Sequence, residues 1–406
     1  MSANPESVGL SAERLARIDP FVQRKYLDAG RMPGAVTLVY RRGEVAHFSA
    51  IGMADVERKI PMREDTIFRI YSMTKPLTTV AFMMLVEQGL VALDDPVHRF
   101  IPAWKDLGVF QGGFMETFRT KRPERPMLMI DLLRHTAGLT YGFQQSTNVD
   151  AAYRALKIGE IEKHGTLDDM IELLARLPLE FSPGTAWNYS VATDVLGYLV
   201  GKISGQPFDA YLRERILAPL GMMDTDFYVH AGKEARFAAC YAATATGGMV
   251  LQDEPAKSPY LKPPSLISGG GGLVSTASDY LKFCRLMISG GTLGNVQLLS
   301  PKTIELMTKN HLPDNKDLPA LSRSLFSEAT YNCIGFGLGF AVTMDPARTM
   351  IPGSEREYSW GGAASTAFWI DPREELIAIF MTQLLPSSST PIRRELRTLV
   401  YSSFTG

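Results

Sequence analysis

GAVTLVYRRGEVAHFSAIGMAD, residues 34–55, holds two β-rich runs separated by RRGE, a composition that predicts a hairpin near the start of the chain. A lone hairpin is marginal in water and leaves its edges unpaired, so further strands must come from elsewhere. Strand patterns return only near the other end, at GFGLGFAVTM (335–344), EYSWGG (357–362), ASTAFWID (364–371) and LIAIFMTQ (376–383), followed by a helical stretch at 391–404. Between about 92 and 230 the periodicity is mostly helical, clearest at 130–139, 167–177, 191–205 and 208–222. Helices are also expected over 11–30 with a stop at Gly30, over 75–91 with Pro76 tolerated in the first turn, and over 278–291. This distribution predicts an α+β protein of the α/β sandwich type. One antiparallel sheet combines the hairpin with three or so C-terminal strands, flanked by terminal helices, and a helical subdomain is inserted between the two halves. The expected division of the single unit 1–406 is an α/β subdomain of about 1–70 plus 265–406 and a helical subdomain of about 71–264.

Composition excludes several function classes. The chain has 406 residues, 45% hydrophobic, with a formal net charge of −1, so it has no basic field for nucleic acid. Its one basic stretch, FRTKRPERP (118–126), is broken by prolines and a glutamate and is expected to be a solvated loop. No run reaches the roughly 18 apolar residues of a membrane span, and the N-terminus lacks a charged n-region before an apolar core, so a cytoplasmic location is expected. Cys240, Cys284 and Cys333 are odd in number and far apart, which predicts buried free thiols. The six histidines show no metal spacing, and neither metal nor cofactor is expected. The sequence leaves the oligomeric state open.

The chemistry candidates begin at RIYSMTKPLTTV (69–80). Ser72 stands where it can cap a helix, and Lys75, three residues on, shares its face. Serine needs a neighbouring base, and lysine serves only if burial lowers its proton affinity; the apolar run that follows supplies that burial. One S-x-x-K is expected by chance in a chain of this length, at about one occurrence, so the tetrapeptide needs company. In FSPGTAWNYSVATDVLGYLV (181–200) a Pro-Gly turn delivers Trp187, Asn188 and Tyr189 ahead of a helix. Tyr189 is either packing or a phenol sharing a proton with Lys75, both groups having intrinsic pKa values near ~10. In YSWGGAASTAFWID (358–371) two glycines interrupt a strand, which marks close approach of a ligand, a bulge or another strand. No G-x-S-x-G elbow exists, and His135 is read as a satisfied turn histidine.

With these three elements in order, the chain resembles the serine β-lactamase and penicillin-binding-protein superfamily, and within it the family VIII carboxylesterases. The resemblance rests on Ser72-Met73-Thr74-Lys75, Tyr189-Ser190-Val191 and Trp360-Gly361-Gly362, with similar accessory stretches at 61–76, 132–139, 181–190, 218–222 and 268–280. It implies a β-lactamase-like fold with the site between sheet and helices. Ser72 is then the nucleophile, Lys75 its base and Tyr189 the relay to the leaving group. The oxyanion hole is the backbone N–H of Ser72 and of Ala363, and Trp360, Gly361 and Gly362 bind substrate, the glycines letting the acyl group lie along the strand edge. Trp360 departs from the cationic K-T-G or H-T-G pattern, and Val191 from the asparagine that usually ends the second motif; both losses favour neutral esters over carboxylated β-lactams. The resemblance therefore implies a carboxylesterase acting on a small-molecule, short-chain ester. Acyl transfer to another acceptor, weak β-lactamase or D-amino-peptidase activity, and a non-catalytic scaffold are the alternatives.

Overall fold

The computed structural model describes residues 4–323 and 331–405. The predicted hairpin is present: β1 (Gly34–Arg41) and β2 (Glu44–Asp55) pair antiparallel around a turn with Gly43 at φ 94°. Five strands, more than the expected three or so, join it from the C-terminal half. With β3 (Ile60–Pro61), they are β4 (Ile334–Phe336), β5 (Ala341–Thr343), β6 (Tyr358–Gly361), β7 (Ala367–Asp371) and β8 (Leu376–Met381). The sheet order is β4-β5-β6-β7-β8-β1-β2-β3, with every neighbouring pair antiparallel. The chain ends meet at the β8–β1 seam, where Val36 faces Met381 and Leu38 faces Ile379.

β1 is buried along its whole length because helices cover both faces, which explains a continuous apolar run where a one-sided sheet would alternate. The main helices are α1 (Thr74–Glu87), α2 (Ala192–Ser204), α3 (Ala277–Ile288) and α4 (Ile392–Ser402). α3 packs on one face, its Tyr280 ring 5.0 Å from Phe368 of β7. α4 covers the other, with Ile392, Leu396 and Val400 against Trp369 and Phe380.

Several expected boundaries move. α1 ends at Glu87 because Gly89, at φ 70°, turns the chain away. The N-terminal helix breaks into Ala12–Leu15, Ile18–Val22 and a wider turn at Gln23–Leu27. The stretch 335–344 is a hairpin rather than one strand, with Gly339 at φ 93° between β4 and β5. Part of the basic stretch, Arg119–Lys121, is an exposed strand paired with Val109–Gly112. Between the mostly helical region and α3, Cys240–Ala243 and Met249–Asp253, for which no strand was expected, form a small sheet with Leu384–Leu385. All three cysteines are free and buried, as expected.

Phe68–Arg69, just ahead of the S-x-x-K segment, pairs with Val274–Ser275, just after the glycine run. Arg69 locks this junction. Its guanidinium is 0% exposed, donates to Asp253 (2.7 Å), Ala238 O (2.6 Å), Gln383 (3.2 Å) and Ser258 (3.2 Å), and lies 3.9 Å from the Phe237 ring centre. Removing one member of such a pair leaves buried groups uncompensated. Arg69→Met is expected to lose roughly 3 kcal/mol of stability in urea unfolding; a loss below about a third of that would show that the junction does not depend on Arg69.

Candidate active site

The turn bearing Ser72 is held in a sparsely populated conformation. Tyr71, immediately before it, has φ 43°, a left-handed value that a non-glycine residue keeps only when its surroundings enforce it. The buried ring packs beside Ala364 and Leu385, and Tyr280 Oη donates to Met73 O at 2.9 Å. Ser72 belongs to a 3₁₀ turn, Tyr71–Met73, that leads into α1. The capping expectation is corrected: Met73 occupies the cap position, and no side chain caps the helix. The Ser72 hydroxyl instead accepts from Lys75 Nζ at 3.2 Å.

Lys75 is 2% exposed, and its amine also donates to Gly270 O (2.7 Å) and Tyr141 Oη (3.1 Å). Burial penalises the ammonium and brings its pKa down to about 7, with nearby Asp194 opposing the fall. Asp194, 3% exposed, accepts from Ser268 Oγ and from the N–H of Gly270 at 3.0 Å. The loop that supplies an oxygen to Lys75 is thus tied to the carboxylate that supports its charge. Tyr141 and Asp194 were invisible to motif reading; Tyr141 follows closely on LLRHTAGL, and Asp194 lies within the helical pattern 191–205.

Tyr189 reaches the same point from the start of α2. Its hydroxyl is hydrogen-bonded to Ser72 and accepts from Trp360 Nε1 at 3.4 Å. Burial pushes the phenol well above its ordinary pKa, so it is protonated at neutral pH. Its ring lies 4.5 Å from Lys75 Nζ and 5.4 Å from the Trp360 ring, with Trp187 stacked 6.2 Å away. His135 stands 5.0 Å from the Tyr189 ring, and its Nδ1 is 3.1 Å from Ser190 Oγ. Burial depresses its proton affinity well below the usual value, so it is a neutral packing partner, as expected of a satisfied turn histidine. Val191 is fully buried, while Gln144 Nε2 donates to Tyr189 O at 2.9 Å.

Gly361, at the end of β6, and Gly362, just after it, are tightly enclosed by the protein. A Cβ at Gly361 would lie 2.6 Å from the Arg393 guanidinium, and one at Gly362 would lie 2.4 Å from Ile70 O and 2.3 Å from Thr366 Oγ1. Close approach of an arginine and of the backbone leading to Ser72 therefore excludes side chains at these two positions. Ser72, Tyr189, Trp360, Gly361, Gly362 and Ala363 nevertheless line one cleft of about 1000 Å³, beneath which Lys75 is buried. Phe143, half exposed and stacked on Tyr141 at 4.8 Å, stands at the same cleft. Among the described residues there is no cluster of metal-ligating side chains, and no helix is long and apolar enough to cross a membrane.

Comparison with known proteins bears on the family and the fold. The family model described as Beta-lactamase matches residues 19–402. Protein Rv1367c of Mycobacterium tuberculosis is 38% identical over 369 residues, covering 90% of this chain and 89% of that one. Esterase EstB of Burkholderia gladioli is 30% identical over 420 residues, covering 99% of each. The solved structure of EstCE1, described as a hydrolase with promiscuous acyltransferase activity, superposes with a TM-score of 0.80 at 29% identity, covering 96% of this chain and 99% of its own.

Asp194 favours the charged form of Lys75, so its loss should lower the lysine pKa further. The rate at which an uncharged phosphonate labels Ser72 is expected to rise with pH through about 7 in the parent protein and through a lower pH in Asp194→Asn. A limb that does not move would show that Lys75 is not the group being titrated.

Proposed function

The chain belongs to the Beta-lactamase family, and on that premise we propose that it is a serine hydrolase cleaving short-chain carboxylic esters through an acyl-enzyme on Ser72. The observation that carries this reading is the lysine amine 3.2 Å from the serine hydroxyl, buried so that much of it is unprotonated at neutral pH. Neutral Lys75 accepts the Ser72 proton as Oγ adds to the ester carbonyl. The tetrahedral oxyanion is held by the N–H groups of Ser72 and Ala363. Tyr189, hydrogen-bonded to Ser72, passes a proton to the departing alkoxide, so the alcohol leaves neutral, and the phenol is restored from the Lys75 ammonium. Water then repeats the sequence on the acyl-enzyme, its proton going to the Lys75 and Tyr189 pair, and releases the carboxylic acid and free Ser72.

Substrate preference follows from the cleft wall. Trp360 offers an indole N–H, already directed at Tyr189, and no charge, so a carboxylated β-lactam has no partner on this strand. Relatives called esterase support the same direction, EstB over nearly its full length. A second reading, acyl transfer to an alcohol, is favoured by the cleft volume of about 1000 Å³, which can hold an acyl group and an acceptor together, and by the printed description of EstCE1.

Intact-mass analysis after rapid quenching of a p-nitrophenyl butyrate reaction tests the proposal. An acyl adduct on Ser72 is expected, together with a loss of at least about 1000-fold in kcat for Ser72→Ala; an adduct elsewhere, or undiminished activity in the variant, would sink the mechanism. Product analysis with added alcohol should show hydrolysis predominating at low alcohol concentration. A chromogenic cephalosporin should turn over far more slowly than the ester, and equal turnover would overturn the argument from Trp360.

A further inference from the structure

We propose that Arg393 is a positioning residue that sets the oxyanion hole by holding the far end of the Gly362–Ala363 peptide. The inference rests on the reading above, in which the Ala363 N–H is an oxyanion donor. Arg393 stands in the first turn of α4, and its Nη2 donates to Gly362 O at 2.7 Å and to Thr366 O at 2.9 Å. The Gly362 carbonyl and the Ala363 N–H belong to one planar trans unit and point in opposite directions. A group that fixes the oxygen therefore fixes where the N–H points. A cationic donor on that oxygen also draws electron density along the amide and strengthens the N–H as a donor.

The surroundings fit this role. Residues 362–366 form the tight connection between β6 and β7, with Ser365 N–H donating to Gly362 O at 3.2 Å and Gly362 N–H donating to Thr366 O at 2.9 Å. Arg393 grips both carbonyl oxygens of this connection, so it holds the orientation of the turn as well as one peptide. The guanidinium can lie there only because position 361 has no Cβ, which would come within 2.6 Å of Arg393 Cζ and Nη2. Gly362 in turn meets Ile70 O so closely that no side chain fits, which seats the peptide against the backbone leading to Ser72, the other donor of the hole. At Tyr189, where burial is the dominant influence and raises the phenol pKa, the Arg393 charge is a small opposing effect.

This role differs from anchoring a substrate anion, and an uncharged ester separates the two. With p-nitrophenyl butyrate, Arg393→Gln is expected to lower kcat about tenfold while leaving KM within about twofold, a smaller loss than the 10²–10³ of removing an oxyanion donor outright, because the Ser365 hydrogen bond remains. Affinity for an uncharged alkyl boronic acid, which becomes tetrahedral on the serine, should fall by the same ratio. Arg393→Lys should recover part of both, and the urea midpoint should stay close to that of the parent. Gly361→Ala, which displaces the guanidinium without removing it, should give the same split between kcat and KM and serves if Arg393→Gln does not fold. An unchanged kcat, or a rise in KM alone, would overturn the proposal. If Ser72→Ala is inactive while Arg393→Gln is unchanged, the assignment of Arg393 fails alone; if Ser72→Ala is fully active, the hydrolase reading beneath it fails.

Discussion

The site depends on one buried amine. Lys75 sits at the base of α1 among apolar groups, where an ammonium loses most of its hydration, and this cost brings its proton affinity down to neutrality. Complete desolvation would remove the charge altogether. Three oxygens, on Ser72, Tyr141 and Gly270, keep the group hydrogen-bonded, and the charge of Asp194 opposes the fall of its pKa, which stands at about 7. The amine needs both halves of this environment. Burial lowers its proton affinity, and the surrounding oxygens keep it pointed at Ser72.

That environment is assembled from distant parts of the chain, which is why the sheet must close across its ends. Ser72 follows the N-terminal hairpin, whereas Trp360, Gly361 and Gly362 belong to the C-terminal strands. The β8–β1 seam holds the two halves in one rigid layer. The contact between Gly362 and Ile70 O carries the registration from the sheet to the turn bearing Ser72 over a distance too short for any side chain. Tyr71 stores backbone strain at that point, and strain of roughly 1–3 kcal/mol is sustained only where packing on every side overrides local preference.

How much of this was legible follows from the kind of signal each part left. β1 and β2 announced themselves through β-rich runs and a turn, and the central helices through periodicity, because both depend on local spacing. Ser72, Lys75, Tyr189 and Trp360 were found through their order along the chain. Tyr141, Asp194 and Arg393 left no comparable mark. Each reaches the site from an element whose own sequence is ordinary, and only tertiary packing gives it a partner. The glycines were noticed as points of close approach, and at Gly361 and Gly362 the protein's own Arg393, Thr366 and Ile70 come close. The run 268–272 has the same kind of cause, since a Cβ at Gly270 would lie 2.5 Å from the Asp194 carboxylate. Cys240–Ala243 and Met249–Asp253 pair with each other locally, and Cys240–Ala243 gains its second neighbour, Leu384–Leu385, from far away in sequence.

Charge in the cleft bears on substrate choice. α4 brings three arginines to its wall, which on a simple count would suit an anionic ligand. Each is engaged by the protein. Arg393 holds Gly362 O and Thr366 O, Arg397 is paired with the buried carboxylate of Glu357, and Arg394 donates to Met350 O at 3.4 Å. Recruiting Arg397 to a substrate carboxylate would leave Glu357 buried without its cation, a penalty of several kcal/mol that one exposed ion pair does not offset. Recruiting Arg393 would release the peptide proposed to carry the oxyanion donor. An anionic ligand that drew on Arg393 or Arg397 would therefore break contacts that hold the cleft wall. A neutral ester would leave those contacts intact and meet the aromatic wall formed by Tyr189 and Trp360, whose rings lie 5.4 Å apart, with Phe336 packed behind Trp360 at 5.3 Å.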